Sequence, residues 1–148
     1  MPGTKPTTAE LLKKLSSTRN FRVFVERYGK HIETVPFHEH IRRLCEEKGI
    51  VPAHVIARSG IDRIYGHQLF NGTRKPPRDR ALQLAIALDL DYEDTQELLK
   101  TARKRELYPK IKRDAAIIFA LKRGLGLNGL QDILLELSLP LLGEERYD

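Results

Sequence analysis

Glycines at positions 49, 60 and 72 divide the middle of the chain into short segments, each ending where a helix is expected to stop. Glycine is the residue that most readily adopts the left-handed backbone conformation found just past a helix C-terminus. Within and beyond these segments, apolar residues recur at three- and four-residue spacing, and no segment shows sustained alternation of apolar and polar residues. The sequence therefore predicts an all-α fold.

Stop and start signals along the whole chain predict about nine helices, which fall into three parts. A helical extension is expected over residues 1–35, where Thr7 to Glu10 has the pattern of a helix-capping box. A compact domain is expected over residues 36–106, and a second helical extension over residues 107–148. No internal repeat is apparent in the sequence.

The net charge of +6 is unevenly distributed. Residues 1–50 and 51–80 each carry +4, whereas residues 81–110 and 111–148 each carry −1. A basic excess confined to one part of a chain favours a polyanionic partner such as nucleic acid, although it also serves solubility.

Several classes of protein are disfavoured by what the sequence lacks. Its one cysteine, Cys45, allows neither an intrachain disulfide nor a cysteine-rich zinc site. His38 and His40 diverge on a helix, and no nucleophile–base pair is recognisable, so we expect no enzyme activity, no cofactor and no metal. There is no apolar run near 18 residues and the first 19 residues are polar, so we expect a cytoplasmic protein with no membrane contact.

The densest pattern lies between Gly49 and Pro77. Two short helical segments are separated by Gly60 and a turn of three or four residues, with a longer apolar helix before them and another after them. This spacing is typical of a helix-turn-helix, in which the second short helix enters the major groove of DNA.

The part of the chain that contains this pattern resembles a known family. The lambda-repressor-like (XRE) class of helix-turn-helix domains is similar to this chain over roughly residues 37–100, at Gly49-Ile50, Gly60-Ile61, Leu69-Phe70-Asn71-Gly72, Arg74, Pro76 and the helix Leu82 to Leu90. The resemblance implies a lambda-repressor-like core and a double-stranded DNA partner.

The resemblance also implies which side chains contact DNA. The positions that match the family's base-reading sites are Arg63, Ile64, His67 and Gln68. Arginine suits guanine, glutamine suits adenine, and an apolar side chain suits the thymine methyl group. The positions that match backbone-contacting sites are Tyr65, Asn71, Arg74 and Lys75.

The chain departs from the family pattern at two places. Pro52 stands where relatives usually have a glutamine that contacts phosphate, and proline offers no donor. Ile56 and Gly66 stand where relatives usually have alanine and a β-branched residue. These two positions face each other where the short helices cross, so we interpret the exchange as a volume-conserving swap, with a simple helix kink at Gly66 as the alternative.

The leucine-rich C-terminal helices exceed what a five-helix domain needs. They either cover the N-terminal helices or the core of the same chain, or form a homodimer or partner surface through Leu134, Leu137 and Leu141. Together these patterns predict a transcriptional regulator that binds DNA as a homodimer. Repression is the predicted role. The rival interpretation is a protein-interaction adaptor, such as an antitoxin, that binds a partner protein through its flanking helices.

Overall fold

The computed structural model of the 148-residue chain describes residues 6–32 and 35–144. Within these ranges there are nine helices and no strand, which confirms the predicted all-α fold class. The chain divides into two compact units, Met1–Thr34 and Val35–Asp148.

The N-terminal unit contains helices α1 (Thr8–Ser17) and α2 (Phe21–Ile32), which pack on each other. The Thr7 hydroxyl accepts from the Glu10 amide at 3.1 Å, and the Glu10 carboxylate accepts from the Thr7 amide at 3.3 Å. These two bonds confirm the predicted capping box. On α2, the ring of Phe24 is buried and lies 6.1 Å from the ring of Phe21 and 5.0 Å from that of Tyr28.

The second unit contains seven helices. They are α3 (Phe37–Lys48), α4 (Pro52–Ser59), α5 (Arg63–Asn71), α6 (Arg78–Ala87), α7 (Tyr92–Thr101), α8 (Lys112–Arg123) and α9 (Gly126–Glu136). Helix α6 is the central one, because it contacts α4, α7 and α9 and has buried residues along most of its length.

The C-terminal helices α8 and α9 pack on the rest of this unit rather than extending from it. Helix α9 contacts α6 and α8, and α8 also contacts α7. Leu134 is fully buried, so its prediction as a dimer-surface residue is wrong: it belongs to the core beneath α9. Leu141 is half-buried against the same core, and only Leu137 of the three predicted residues is exposed.

The structure also corrects the interpretation that the chain has no internal repeat. Residues 78–108, which include α6 and α7, and residues 113–143, which include α8 and α9, are equivalent with a constant offset of 35 positions. The residues conserved between these two repeats are Arg78, Asp79, Ala81, Ala85, Leu90, Gln96, Leu99 and Leu107, each of which recurs 35 positions later.

The equivalence is visible in the backbone and in individual hydrogen bonds. Gln96 donates to the Leu107 carbonyl at 3.0 Å and accepts from the Leu107 amide at 2.8 Å. Gln131 makes the same two bonds with Leu142, at 3.0 and 2.9 Å. The second residue beyond the second helix of each repeat has the same left-handed φ of 56°, Arg103 in one and Ser138 in the other.

The two repeats are joined by a crosswise pair of buried ion pairs, which we call the arginine–aspartate clasp (Arg78, Asp79, Arg113 and Asp114). The Arg78 guanidinium donates to both oxygens of Asp114 at 3.0 and 2.9 Å, and Arg113 donates to both oxygens of Asp79 at the same two distances. Each residue of one repeat binds the complementary residue of the other, which is the pattern of a two-fold interface.

Backbone groups complete the clasp in the same symmetrical way. Arg78 Nε donates to the Arg105 carbonyl and Arg113 Nε to the Pro140 carbonyl, each at 2.8 Å. The Asp114 carboxylate also accepts from the Tyr108 amide at 3.0 Å, as Asp79 does from the Gly143 amide at 2.9 Å. Buried charges are tolerated only when they are paired and hydrogen-bonded, and the clasp meets both conditions.

Candidate nucleic-acid interface

Helices α4 and α5 are joined by the three residues Gly60, Ile61 and Asp62. Gly60 has a φ of 76°, a conformation that glycine adopts without strain. Buried Ser59 donates from its hydroxyl to the Ile56 carbonyl at 2.7 Å and accepts from the Ile61 amide at 3.2 Å. The Asp62 carboxylate then caps α5 by accepting from the Tyr65 amide at 3.1 Å. Local hydrogen bonds therefore fix both ends of the turn.

The crossing of α4 and α5 is made by Ile56 and Gly66. A Cβ atom placed on Gly66 would lie 2.5 Å from Cγ2 and 2.9 Å from Cγ1 of Ile56, closer than van der Waals contact allows. Both residues are buried. The predicted facing of a large and a small residue at this crossing is confirmed, and it explains why glycine is present inside a helix despite its low helix propensity.

The first turns of α5 present the side chains that the sequence predicted as base contacts. Arg63, Ile64 and His67 are exposed, while Gln68 is half-buried. Residues at the start of one helix, on the same side, can reach the edges of neighbouring base pairs together. An exposed isoleucine at the centre of this group has no packing role in the described structure.

Tyr65, one of the predicted backbone contacts, is half-buried and has two arginines over its ring. The guanidinium carbons of Arg74 and Arg80 each lie 5.9 Å from the centre of its ring. Cations over an aromatic face are attracted by its negative charge density. Arg80, in the first turn of α6, was missed by the sequence predictions, although its position beside the basic loop was a usable signal.

The last residue of α5, Asn71, and the loop that follows it hold the remaining predicted backbone contacts. Arg74 and Lys75 are exposed, as is Asn71. The Asn71 side-chain oxygen accepts from the Thr73 amide at 2.9 Å and from the Thr73 hydroxyl, so it shapes the turn. This leaves the amide nitrogen of Asn71 as the atom with the chemistry to donate to phosphate.

Arg80 connects this surface to the second repeat. Its guanidinium donates to the Gln83 side-chain oxygen at 3.0 Å, and the Gln83 amide nitrogen donates to the Ser59 carbonyl of α4, also at 3.0 Å. Gly143 has a φ of 89°, and a Cβ atom there would lie 2.9 Å from Arg80 Nη1. The segment after α9 therefore packs against Arg80 and Gln83 of α6, and Gln83 in turn bonds to α4.

The charge around α5 is strongly positive. Between residues 51 and 78 the sequence contains a single acidic residue, Asp62, whose carboxylate is already used as the α5 cap. Exposed basic side chains come from α4 (Arg58), from α5 (Arg63) and from the following loop (Arg74 and Lys75). A local excess of basic side chains attracts anions.

Other kinds of site find less support among the described residues. They contain no group of three or more histidine, cysteine or acidic side chains placed to hold a metal ion. None of their helices is long and apolar enough to cross a membrane. Burial, followed by the nearby charge of Glu46, raises the pKa of the Cys45 thiol to about 11, which makes it a poor nucleophile at neutral pH.

Comparisons with protein-family models, with curated proteins and with solved structures find no match to this chain.

Proposed function

We propose that this chain is a sequence-specific, double-stranded DNA-binding transcriptional regulator of the lambda-repressor-like class, acting as a repressor. The observation that carries the proposal is the exposed start of α5, with Arg63, Ile64 and His67 side by side, in a basic surface that includes Arg74 and Lys75. A protein-interaction adaptor has no need of this combination.

The mechanism follows from the dimensions of DNA. The major groove of B-DNA is about 12 Å wide and admits one α-helix. With α5 in the groove, Arg63 would donate to guanine, Gln68 would pair with adenine and Ile64 would contact a thymine methyl group. Arg74, Lys75 and the amide nitrogen of Asn71 would bind phosphates on the flanking strand, which positions the helix without reading sequence.

Two features support α5 rather than α4 as the reading helix. Pro52 occupies the first turn of α4 and has no backbone donor for a phosphate, and Val51 before it provides no side-chain cap. In contrast, α5 is capped by a carboxylate, is supported by Ile56 at its crossing and has basic residues at its beginning and beyond its end. Occupation of a promoter by such a protein would exclude other proteins from the same DNA.

Selection from a pool of random DNA duplexes with the purified full chain tests the proposal. We expect enrichment of one motif, with binding that weakens as salt rises because counterions are released on association. The Arg63→Ala variant, selected in parallel, should return a motif that is relaxed at one position. Absence of any enriched motif at low salt would contradict DNA readout and favour the adaptor function.

A further inference from the structure

A second concentration of positive charge follows α7. Residues 100–112 contain six basic residues and one acidic residue. This charge is hidden in the sum of −1 over residues 81–110, because most acidic residues of that stretch come before residue 98. Four of the basic residues lie in the segment between α7 and α8, residues 102–111, which we call the α7–α8 loop. They are Arg103, Arg105 and Lys110, which are exposed, and Lys104, which is half-buried.

One connection between the α7–α8 loop and the loop that follows α5 runs through the first turn of α3. The Thr101 hydroxyl, at the end of α7, lies 2.9 Å from Nδ1 of His40 in that turn. The same turn carries His38, which packs against Gly72, the residue that follows α5. A Cβ atom on Gly72 would lie 2.8 Å from Nδ1 of His38. The end of α5 and the end of α7 therefore lie on either side of the start of α3.

The second connection between the two loops is direct. Arg78, the first residue of α6, donates from Nε to the Arg105 carbonyl at 2.8 Å and from Nη2 to the Glu106 carbonyl at 3.2 Å. Arg78 comes three residues after Lys75, which with Arg74 forms the basic part of the loop after α5. The α7–α8 loop therefore continues the basic surface that begins at α5.

The second repeat shows that the backbone of this loop does not require basic residues. The three consecutive basic residues 103–105 are equivalent to Ser-Leu-Pro at residues 138–140. Nevertheless Arg103 and Ser138 have the same φ of 56°, and the Arg105 and Pro140 carbonyls each accept from an arginine of the clasp at 2.8 Å. Since the same loop conformation forms without these cations, their presence in the first repeat points to a partner outside the chain.

Carboxylates of the chain leave these cations unpaired. Among the described residues, no acidic side chain forms an ion pair with Arg103, Arg105 or Lys110. The one carboxylate of the loop, Glu106, lies 3.4 Å from Nζ of Lys100 on α7. Exposed cations that no internal carboxylate neutralises are available to bind phosphates.

We propose that the α7–α8 loop is a second phosphate-binding site, which contacts the backbone of the same DNA duplex beside the phosphates bound by Arg74 and Lys75. This inference rests on the proposed DNA-binding function. Arg103 and Arg105 supply guanidinium groups, whose paired donors match two oxygens of one phosphate. Phosphate contacts fix the protein on the duplex but carry no sequence information. The loop therefore adds affinity and salt dependence without changing the motif that α5 reads.

Fluorescence anisotropy of the full chain, with the duplex selected by the wild type, tests the proposal over a series of salt concentrations. The double variant Arg103→Ser/Arg105→Gln should weaken binding by about ten-fold or more near 0.1 M salt. It should also reduce the slope of log affinity against log salt by about 2, since two phosphate contacts are lost. Selection from random duplexes with this variant should return the wild-type motif.

The variants are chosen so that folding does not decide the result. Serine already occupies the position equivalent to Arg103 in the second repeat, and both substituted side chains are exposed, so circular dichroism should show unchanged helix content. Lys110→Gln is an independent variant at the other end of the loop. It should reduce the salt slope by about 1, the effect of one lost phosphate contact.

Arg123→Gln is the matched control. Arg123 is also exposed and basic, but it ends the 12-residue helix α8, about 18 Å along the helix from the loop. This variant should leave the affinity and the salt slope unchanged. If the wild type selects a motif but the double variant keeps its salt slope, or if Arg123→Gln reduces the slope as much, the loop is not a phosphate site and the proposed function still stands. A wild type that binds no duplex would overturn both.

Discussion

Arg113 binds Asp79 through two parallel hydrogen bonds of 3.0 and 2.9 Å, and both side chains are almost completely buried. Together with its counterpart between Arg78 and Asp114, this pair joins the two repeats at the first turns of α6 and α8. Since α6 also contacts α4, the clasp is one of the links through which the second repeat stabilises the proposed DNA-binding surface.

Removing one partner of the clasp should be severely destabilising. Asp79→Ala leaves the Arg113 guanidinium buried without its carboxylate, and we expect a loss of about 3–5 kcal/mol in the free energy of unfolding. Asp114→Ala should cost a similar amount, because the two sites are equivalent. Urea denaturation followed by circular dichroism measures both.

Two controls make this prediction specific. Glu97→Ala removes an exposed partner of Lys100 in α7 and should cost less than about 1 kcal/mol. The double variant Asp79→Leu/Arg113→Met replaces the whole pair with apolar groups and should be more stable than Asp79→Ala. Equal losses for Asp79→Ala and Glu97→Ala would show that the clasp contributes no more than a surface pair.

The contact between Ile56 and Gly66 should appear as strong coupling between substitutions. Ile56→Ala opens a cavity at the crossing and should cost about 2–5 kcal/mol. Gly66→Val alone should be destabilised by overpacking, because its Cβ would clash with Ile56. The double variant should be more stable than the sum of the single effects predicts. Thermal unfolding of the four proteins measures the coupling, and strict additivity would show that the two side chains do not share the space.

DNA contacts should separate into two classes. On the preferred duplex, Arg63→Ala and Gln68→Ala should each cost about 1–3 kcal/mol and relax the preference at one base pair. Arg74→Ala and Lys75→Ala should weaken binding to all duplexes alike and reduce the salt dependence. Fluorescence anisotropy with the selected duplex and a scrambled duplex measures both effects. If Arg63→Ala had unchanged affinity and unchanged base preference, the assignment of α5 to the major groove would be wrong.

His40 should make folding stability depend on pH. Its half-buried ring is within 2.9 Å of the Thr101 hydroxyl, and burial lowers its pKa below the ordinary value of about 6.5. Smaller effects come from nearby charges. The negative charges of Glu97, Asp94 and Glu47 raise the pKa of His40, whereas the positive charge of Arg43 lowers it further. Because the folded state disfavours the protonated ring, the unfolded chain binds more protons below pH 6.5. The free energy of unfolding should therefore decrease as the pH is lowered from about 6.5 through the pKa of His40 in the folded protein.

Urea titrations at a series of pH values between 7 and 5 would measure this dependence. His40→Gln should flatten the profile in that window, whereas His54→Gln, at an exposed position on α4, should leave it unchanged. An identical slope in the wild type and His40→Gln would contradict the role of His40.

The parts of the fold that were predicted correctly depend on signals close together in the sequence. Gly60 and Asp62 mark the ends of the α4–α5 turn because a left-handed glycine and an aspartate cap are local features. The Ile56–Gly66 contact was predicted because the family pattern gives both positions, which are only ten residues apart. Exposure of Arg63 and Ile64 follows from their place at the start of α5.

The parts that were missed depend on contacts between distant segments. Arg78, Asp79, Arg113 and Asp114 have the composition of a solvated helix start, and nothing in either segment alone indicates that both are buried. The repeat is weak in the sequence because, apart from the pair Arg78-Asp79, its identical residues are isolated ones, at positions that hydrogen bonds and burial require. Leu134 was assigned to the surface because the leucines of α9 point in several directions, and only the packing of α6 and α8 decides which are covered.

The clasp also has a consequence for synthesis of the protein. The Asp79 carboxylate receives the amide of Gly143, a residue 64 positions later in the chain. Protein chains fold from the N-terminus onward as they leave the ribosome, so α5 emerges well before the second repeat that completes the support beneath α6. A product terminated after α5 but before the second repeat would carry the residues proposed to read DNA. It would lack the contacts that hold them in place. Damaged messages would then yield unstable fragments, open to proteolysis, rather than competitors for the same DNA.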